Sequence, residues 1–281
     1  MFEFLYQLIS TPFGYVMRWI YQFVGSYGWS LFLFALLVKV LTMPLTLKQK
    51  RATIDMQHIQ PMAQKIQKTY ARDQRRMQEE LQNLYDREGV SPTAGCGSMF
   101  IFLPVMMGLY GVVIRPLTYF MQLTSDQINA IAERLNYTMG TGAYDQISLA
   151  GQMFSNFDKV SDISENLMRV SFDFGFLDLT ATPTLSQPSL LWVIPVVAGV
   201  SSYLMSWIQQ KINPMQNANP QAAASQKSMT LMMPLMSVWF TFIMPAGLGW
   251  YWICNNILGI VQEVLLSFWV KKQTAKGNDN N

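Results

Sequence analysis

Five apolar runs, near residues 28–47, 98–118, 189–208, 228–246 and 248–270, are each long enough to cross the ~30 Å hydrocarbon layer of a bilayer. In lipid every backbone N–H and C=O must be satisfied inside the protein, so runs of this kind become helices. The expected fold is an all-α integral membrane protein with a five-transmembrane-helix core. Composition agrees: 51% of the residues are hydrophobic and only 13% are charged, about half the charge of a soluble domain.

Charge placement orients the chain. From Lys48 to Gly97 there are nine Lys or Arg against six Asp or Glu, whereas from Pro116 to Pro188 there are three against eight. Lys211 and Lys227 flank a stretch without acids, and Lys271, Lys272 and Lys276 lie near the end. Basic loops stay in the cytoplasm, so a multi-pass membrane protein is expected, with the N-terminus extracytoplasmic and the C-terminus cytoplasmic.

Around the core, residues 25–270, three further parts are expected. In residues 1–24, Glu3, Gln7, Ser10, Thr11, Gly14, Arg18 and Gln22 make a narrow polar or small stripe at helical spacing. That pattern suits an interfacial amphipathic helix with its broad apolar face down; a sixth span is the alternative. With its first basic residue at Arg18, this segment does not read as a signal peptide. Residues 48–91 read as a cytoplasmic two-helix hairpin, with Ile59, Met62 and Ile66 facing Met77, Leu81, Leu84 and Tyr85, and with Asp73 capping the second helix. The extracytoplasmic loop, 119–187, holds a helix capped by Ser125 and a second short helix at "DISENLMRV". "MPAGLG" predicts a tight outer hairpin between the last two spans, broken by Pro245 and Gly247, and 271–281 is a weakly basic cytoplasmic tail.

Several chemistries find no support. Cys96 and Cys254 are far apart and read as small buried apolar side chains, His58 is the single histidine, and no nucleotide-binding, zinc-protease or nucleophile motif occurs. No catalytic residue, metal, cofactor, nucleotide or DNA partner is expected.

Lys39 breaks the pattern of the first span. Twelve residues after Tyr27 and nine before Lys48, it lies roughly 18 Å and 13 Å from those ends along a helix, too far for its stem to reach water easily. A central Lys costs roughly 2.5–3.5 kcal/mol on insertion scales, so something must compensate it. Glu263, the single acid in the other spans, is a possible partner in a structural tie. Alternatively a wet recess surrounds Lys39, lined by polar groups such as Ser201, Ser202, Ser206, Ser237, Thr241, Asn255, Asn256 and Gln262. One cation suits neither a cation pore nor a proton relay. It does suit drawing an acidic or polar peptide segment part-way into the membrane, which is the task of inserting a protein.

"GWSLFLFALLVKVLTMPLTLKQ", then "IQPMAQKIQKTY", "EELQNLYDREGVSP" and "GCGSMFIFLPV", and finally "MPAGLGWYWICNNILGIVQ" follow one another in an order that resembles the YidC-type membrane protein insertases, the YidC/Oxa/Alb family. The resemblance runs from Gly25 to Trp269 apart from the outer loop. With no large outer domain between the N-terminal helix and the first core span, it is similar to the compact Gram-positive type, which implies a bacterial plasma membrane. It implies a hydrophilic substrate groove open to cytoplasm and lipid and closed outside, with Lys39 where the family typically carries Arg. It also implies that Gln210 and Trp252 line the groove and that Tyr251 contacts substrate. Thr42, one turn from Lys39, would face the same way. "AGCGSMF" departs from the family in lacking the proline that often follows this cysteine. The implied partners are nascent membrane proteins, the ribosome, the general secretion translocon and the lipid bilayer. A small-solute or ion transporter with a lysine-centred site and a structural assembly factor are the alternatives. Met229, Met232, Met233 and Met236 share one face of the fourth span, where helix packing is expected; flexible thioethers also suit varied apolar segments.

Overall fold

The computed structural model describes residues 2–91, 97–140, 142–212 and 220–278, and the side chains of 6–91, 104–140, 142–212, 228 and 231–270. Cys96 and the side chain of Met229 fall outside these.

The first helix, α1 (Phe2–Val24), ends at Gly25, whose φ of +67° favours glycine. The middle of its small stripe is a packing face: Ser10, Gly14 and Met17 are buried. A Cβ on Gly14 would overlap the carbonyl oxygen of Tyr119, and the Ser10 hydroxyl occupies the space beside Gly111. Small residues are there because backbones approach closely, not because water does. Tyr15, Trp19 and Phe23 point outward.

Helix α2 (Tyr27–Thr69) is the largest departure from expectation. Instead of stopping near residue 47, it runs unbroken through Pro44 and Pro61, so the first span and the first arm of the hairpin are one helix. The change from apolar to polar sequence changes what surrounds the helix, and the helix itself continues. The return arm, α3 (Gln74–Glu88), starts where Asp73 Oδ1 accepts the Arg76 N–H at 3.0 Å and ends at Gly89, φ +64°. Ile59, Ala63 and Leu84 are buried in this hairpin, while Met62 is exposed.

Helix α4 (Gly97–Ile114) gives way at Arg115 to the single turn α5 (Pro116–Tyr119), because the residue before a proline is driven out of helical conformation. The outer region then forms α6 (Ser125–Arg134) and α7 (Asp145–Ser155). Thr124, not Ser125, caps α6, through a reciprocal capping box with Gln127. Residues 162–170 are not a helix: the Ser164 hydroxyl accepts the Asn166 N–H at 3.2 Å, a local bond that competes with helix formation. Strands β1 (Asp173–Phe174) and β2 (Leu177–Asp178) form a short antiparallel ribbon turning at Gly175, φ +63°.

Three long helices complete the chain: α8 (Val193–Ile212), α9 (Pro220–Ile243) and α10 (Ala246–Asn278). Helix α8 packs on both α9 and α10, and α10 packs on α2. Only Met244 and Pro245 separate α9 from α10, so Gly247 lies inside the first turn rather than acting as a breaker. The N–H groups of Ala246 and Gly247 donate to Ala181 and Leu179, both at 2.8 Å, so the outer loop caps α10.

Tyr27–Thr69, Leu190–Ile212 and Ala246–Val270 are long and apolar enough to cross a membrane; among the described residues Pro104–Ile114 and Leu231–Ile243 are shorter apolar stretches. Broad apolar strips stand exposed, among them Val200, Leu204 and Trp207 on α8 and Ile257, Val261 and Leu265 on α10. This is an all-α membrane protein, with lipid as the natural solvent for those faces. Its tight core is off-centre. Tyr27, Leu31, Phe34, Leu109, Leu117 and Phe120, all at most 1% exposed, pack where α1, α4, α5 and the start of α2 meet the outer helices.

Candidate functional site

Along α2 the buried residues run from Tyr27 to Ala35 and then cease until Lys50. Lys39 stands one turn past that limit, partly exposed. Its ammonium rests against α10 and α8: a Cβ on Gly259 would stand 3.4 Å from Lys39 Nζ and 3.1 Å from Met205 Cε. Among the described residues no carboxylate lies within salt-bridge distance of Lys39.

Four contacts set α10 parallel to α2. Trp250 Nε1 donates to Gly28 O at 2.9 Å, Lys39 meets Gly259, Lys50 pairs with Glu263, and the Arg51 guanidinium lies 5.5 Å over the Trp269 ring. Lys39 is therefore midway, eleven residues from both Gly28 and Lys50, or about 16 Å each way at 1.5 Å per residue. The Gly28 end of this seam is covered by Phe174 of β1. Its ring packs on Gly28 and lies 5.7 Å from Trp29 and 4.7 Å from Trp250.

Glu263 is thus placed differently from the expectation. It pairs with Lys50, which is 6% exposed, rather than with Lys39. A buried ammonium without a partner costs several kcal/mol, and Glu263 supplies that partner to Lys50.

The other expected site residues divide. Thr42 is partly exposed beside Lys39, with its hydroxyl donated to Val38 O at 2.8 Å. Gln210 is partly buried near the inner end of α8, one residue before Lys211, whose ammonium sits 4.4 Å over the Trp207 ring. Trp252 is partly exposed and donates its indole N–H to Ser202 Oγ at 3.2 Å. Tyr251 is only 2% exposed and packs in the core, so it offers no surface to a substrate. Successive helical residues point about 100° apart, so 251 turns into the core while 252 stays partly exposed.

The polar groups deeper in α8, α9 and α10 bond chiefly to one another. Ser202 Oγ accepts from Asn256 Nδ2 at 2.9 Å as well as from Trp252, and donates to Ser237 Oγ at 2.9 Å; Asn256 also donates to Ser201 at 3.1 Å. These bonds knot three helices together. Met232, Met233 and Met236 are exposed by 58%, 53% and 42%, so they do not pack against a neighbouring helix as expected.

Sequence reasoning missed Lys50, Gly259 and Met205. Lys50 lies in the polar part of α2, and a helix continued that far puts it on the face of Lys39, since eleven residues are close to three turns.

Among similar proteins are ALBINO3-like protein 1 of Arabidopsis thaliana chloroplasts, 32% identical over 255 residues, and the membrane protein insertase YidC of Granulibacter bethesdensis, 30% identical over 266. These alignments take in 90% and 92% of this chain but only 44% and 38% of the relatives, so the chain spans less than half their length. The membrane protein insertase YidC of Oceanobacillus iheyensis is 24% identical over 275 residues, covering 92% of this chain and 83% of that protein. The sequence pattern of the 60Kd inner membrane protein family matches residues 19–274, and the chain belongs to that family.

Proposed function

We propose that this protein is a membrane protein insertase in which Lys39 receives the polar or acidic flank of a nascent membrane protein. The observation that carries the reading is the position of Lys39: mid-span on α2, just past the tightly packed outer core, partly exposed, and without a carboxylate partner among the described residues. Opposite charges 4 Å apart attract by about 4 kcal/mol at an effective dielectric of 20. That matches the roughly 2.5–3.5 kcal/mol cost of placing one Asp at the centre of a span. One ammonium therefore offsets the burial of one acidic substrate residue.

In this reading the chain crosses the membrane five times with its N-terminus outside and α3 inside. A substrate delivered by a ribosome or by the general secretion translocon meets the α2–α3 hairpin. Its short polar flank moves along α2 to Lys39 while its apolar segment leaves beside the exposed strips of α8 and α10. Each CH₂ moved from water to lipid yields ~0.8 kcal/mol, so partition into lipid drives the release and no bound nucleotide is required. Phe174 and the capped start of α10 close the outer end.

The test is reconstitution in liposomes with a single-span substrate bearing an acidic outer tail. Insertion by the purified protein, kept by Lys39→Arg and lost by Lys39→Leu, is the expected result. Solute flux without insertion overturns the reading, and equal activity of the two variants removes the electrostatic role.

A further inference from the structure

The spans 27–47, 193–212, 220–243 and 246–270 contain a single carboxylate, Glu263, and it lies four residues beyond Gly259, against which the Lys39 ammonium rests. Side chains on a helix lean toward its N-terminus, so the Glu263 carboxylate leans along α10 toward the level of Gly259 and Lys39. Lys50 intercepts it. Lys50 is 6% exposed and the Glu263 side chain 13%, and the pair bridges α2 and α10 on the Thr69 side of Lys39.

We propose that Lys50 is a keeper for Glu263: by holding this carboxylate it prevents an internal ion pair with Lys39 and leaves the mid-membrane ammonium available to acidic substrate segments. Lys50 is a positioning residue and touches no substrate. The inference rests on the reading of Lys39 as the receiving charge. Its physical core is a competition in which two lysines on one helix face share one acid, and whichever lysine lacks it stays available. Burial decides the winner, because the sheltered ammonium of Lys50 has less water to fall back on. Below the pair, Arg51 over Trp269 holds the same two helices together, so loss of the Lys50 contact alone leaves α2 and α10 in register.

The test is an insertion assay in liposomes with two substrates that differ only in an acidic or an uncharged outer tail. Lys50→Met is expected to lower insertion of the acidic-tailed substrate by about tenfold and to leave the uncharged one unchanged. Lys50→Met combined with Glu263→Gln is expected to restore it, since no carboxylate is left to claim Lys39. Failure of the double variant to restore insertion overturns the proposal, because a merely structural tie is lost equally in both. Should Lys50→Met not fold, Glu263→Gln alone decides: insertion of the acidic-tailed substrate at or above the parent level supports the keeper, and a loss as deep as that of Lys39→Leu overturns it. Lys39→Leu separates the two claims. A defect there beside normal Lys50→Met overturns the keeper alone, whereas normal activity of Lys39→Leu overturns both.

Discussion

Lys39 and Gly259 fit together across α2 and α10, the ammonium standing 3.4 Å from the position a Cβ on Gly259 would take. Both nearest groups, Lys39 Nζ and Met205 Cε, are ends of flexible side chains, so a methyl group is accommodated by small shifts. Gly259→Ala is expected to keep insertion and to gain about 0.5–1 kcal/mol of stability from its better helix propensity. Gly259→Leu is expected to displace the ammonium and lower insertion of acidic-tailed substrates by about tenfold. Thermal unfolding in detergent and liposome insertion read the two effects separately.

The Ser202 hydroxyl serves three partners, Trp252, Asn256 and Ser237, and ties α8 to α9 and α10. Ser202→Ala strands two donors. The expected loss is about 1–2 kcal/mol, because interhelical bonds in membranes average ~0.6 and reach ~1.7 kcal/mol each. Ser237→Ala removes one of these bonds and should cost less. Equilibrium unfolding in mixed micelles measures both.

Phe174 holds the outer loop onto the start of α2 and α10, between Trp29 and Trp250. Phe174→Ala is expected to cost less than the roughly 3–5 kcal/mol of a fully buried Phe→Ala change, since its ring is only partly buried. Gly28→Leu should act in the same direction by pushing the ring away. In both variants protease added to the protein in detergent micelles should cut residues 160–187 faster, with a shift in tryptophan fluorescence.

Gly14 meets the backbone of Tyr119, which cannot yield as a flexible side chain can. Gly14→Val is expected to lift α1 off α4 and α5. Ser10, 0% exposed in the intact protein, would then become reactive as Ser10→Cys toward a water-soluble maleimide.

The all-helical membrane class and the prominence of Lys39 were legible in the sequence because both follow from local quantities: the length of an apolar run and the cost of one charge inside it. The Asp73 cap was legible for the same reason. The partner of Glu263 was not, because it depends on the register of α10 against α2, which is set by contacts more than 200 residues apart such as Trp250 with Gly28. Helix α7 was missed because "DQISLAGQMFS" carries Gly, Ser and Ile of modest helix propensity; burial of Ile147, Leu149, Ala150 and Met153 outweighs that preference. The continuity of α2 was hidden by polarity. Hydropathy reports the medium around a helix and says nothing of whether its hydrogen-bond ladder goes on.

That continuity makes α2 a lever. Thirty residues, about 45 Å, separate Lys39 from Thr69 at the hairpin tip, and a tilt of about 5° about the level of Lys39 swings the tip by about 4 Å. Pro44 and Pro61 interrupt the ladder along this arm, providing two joints where it can flex. A load placed on the tip is thus carried by one piece of backbone to the ammonium in mid-membrane, through a joint five residues away.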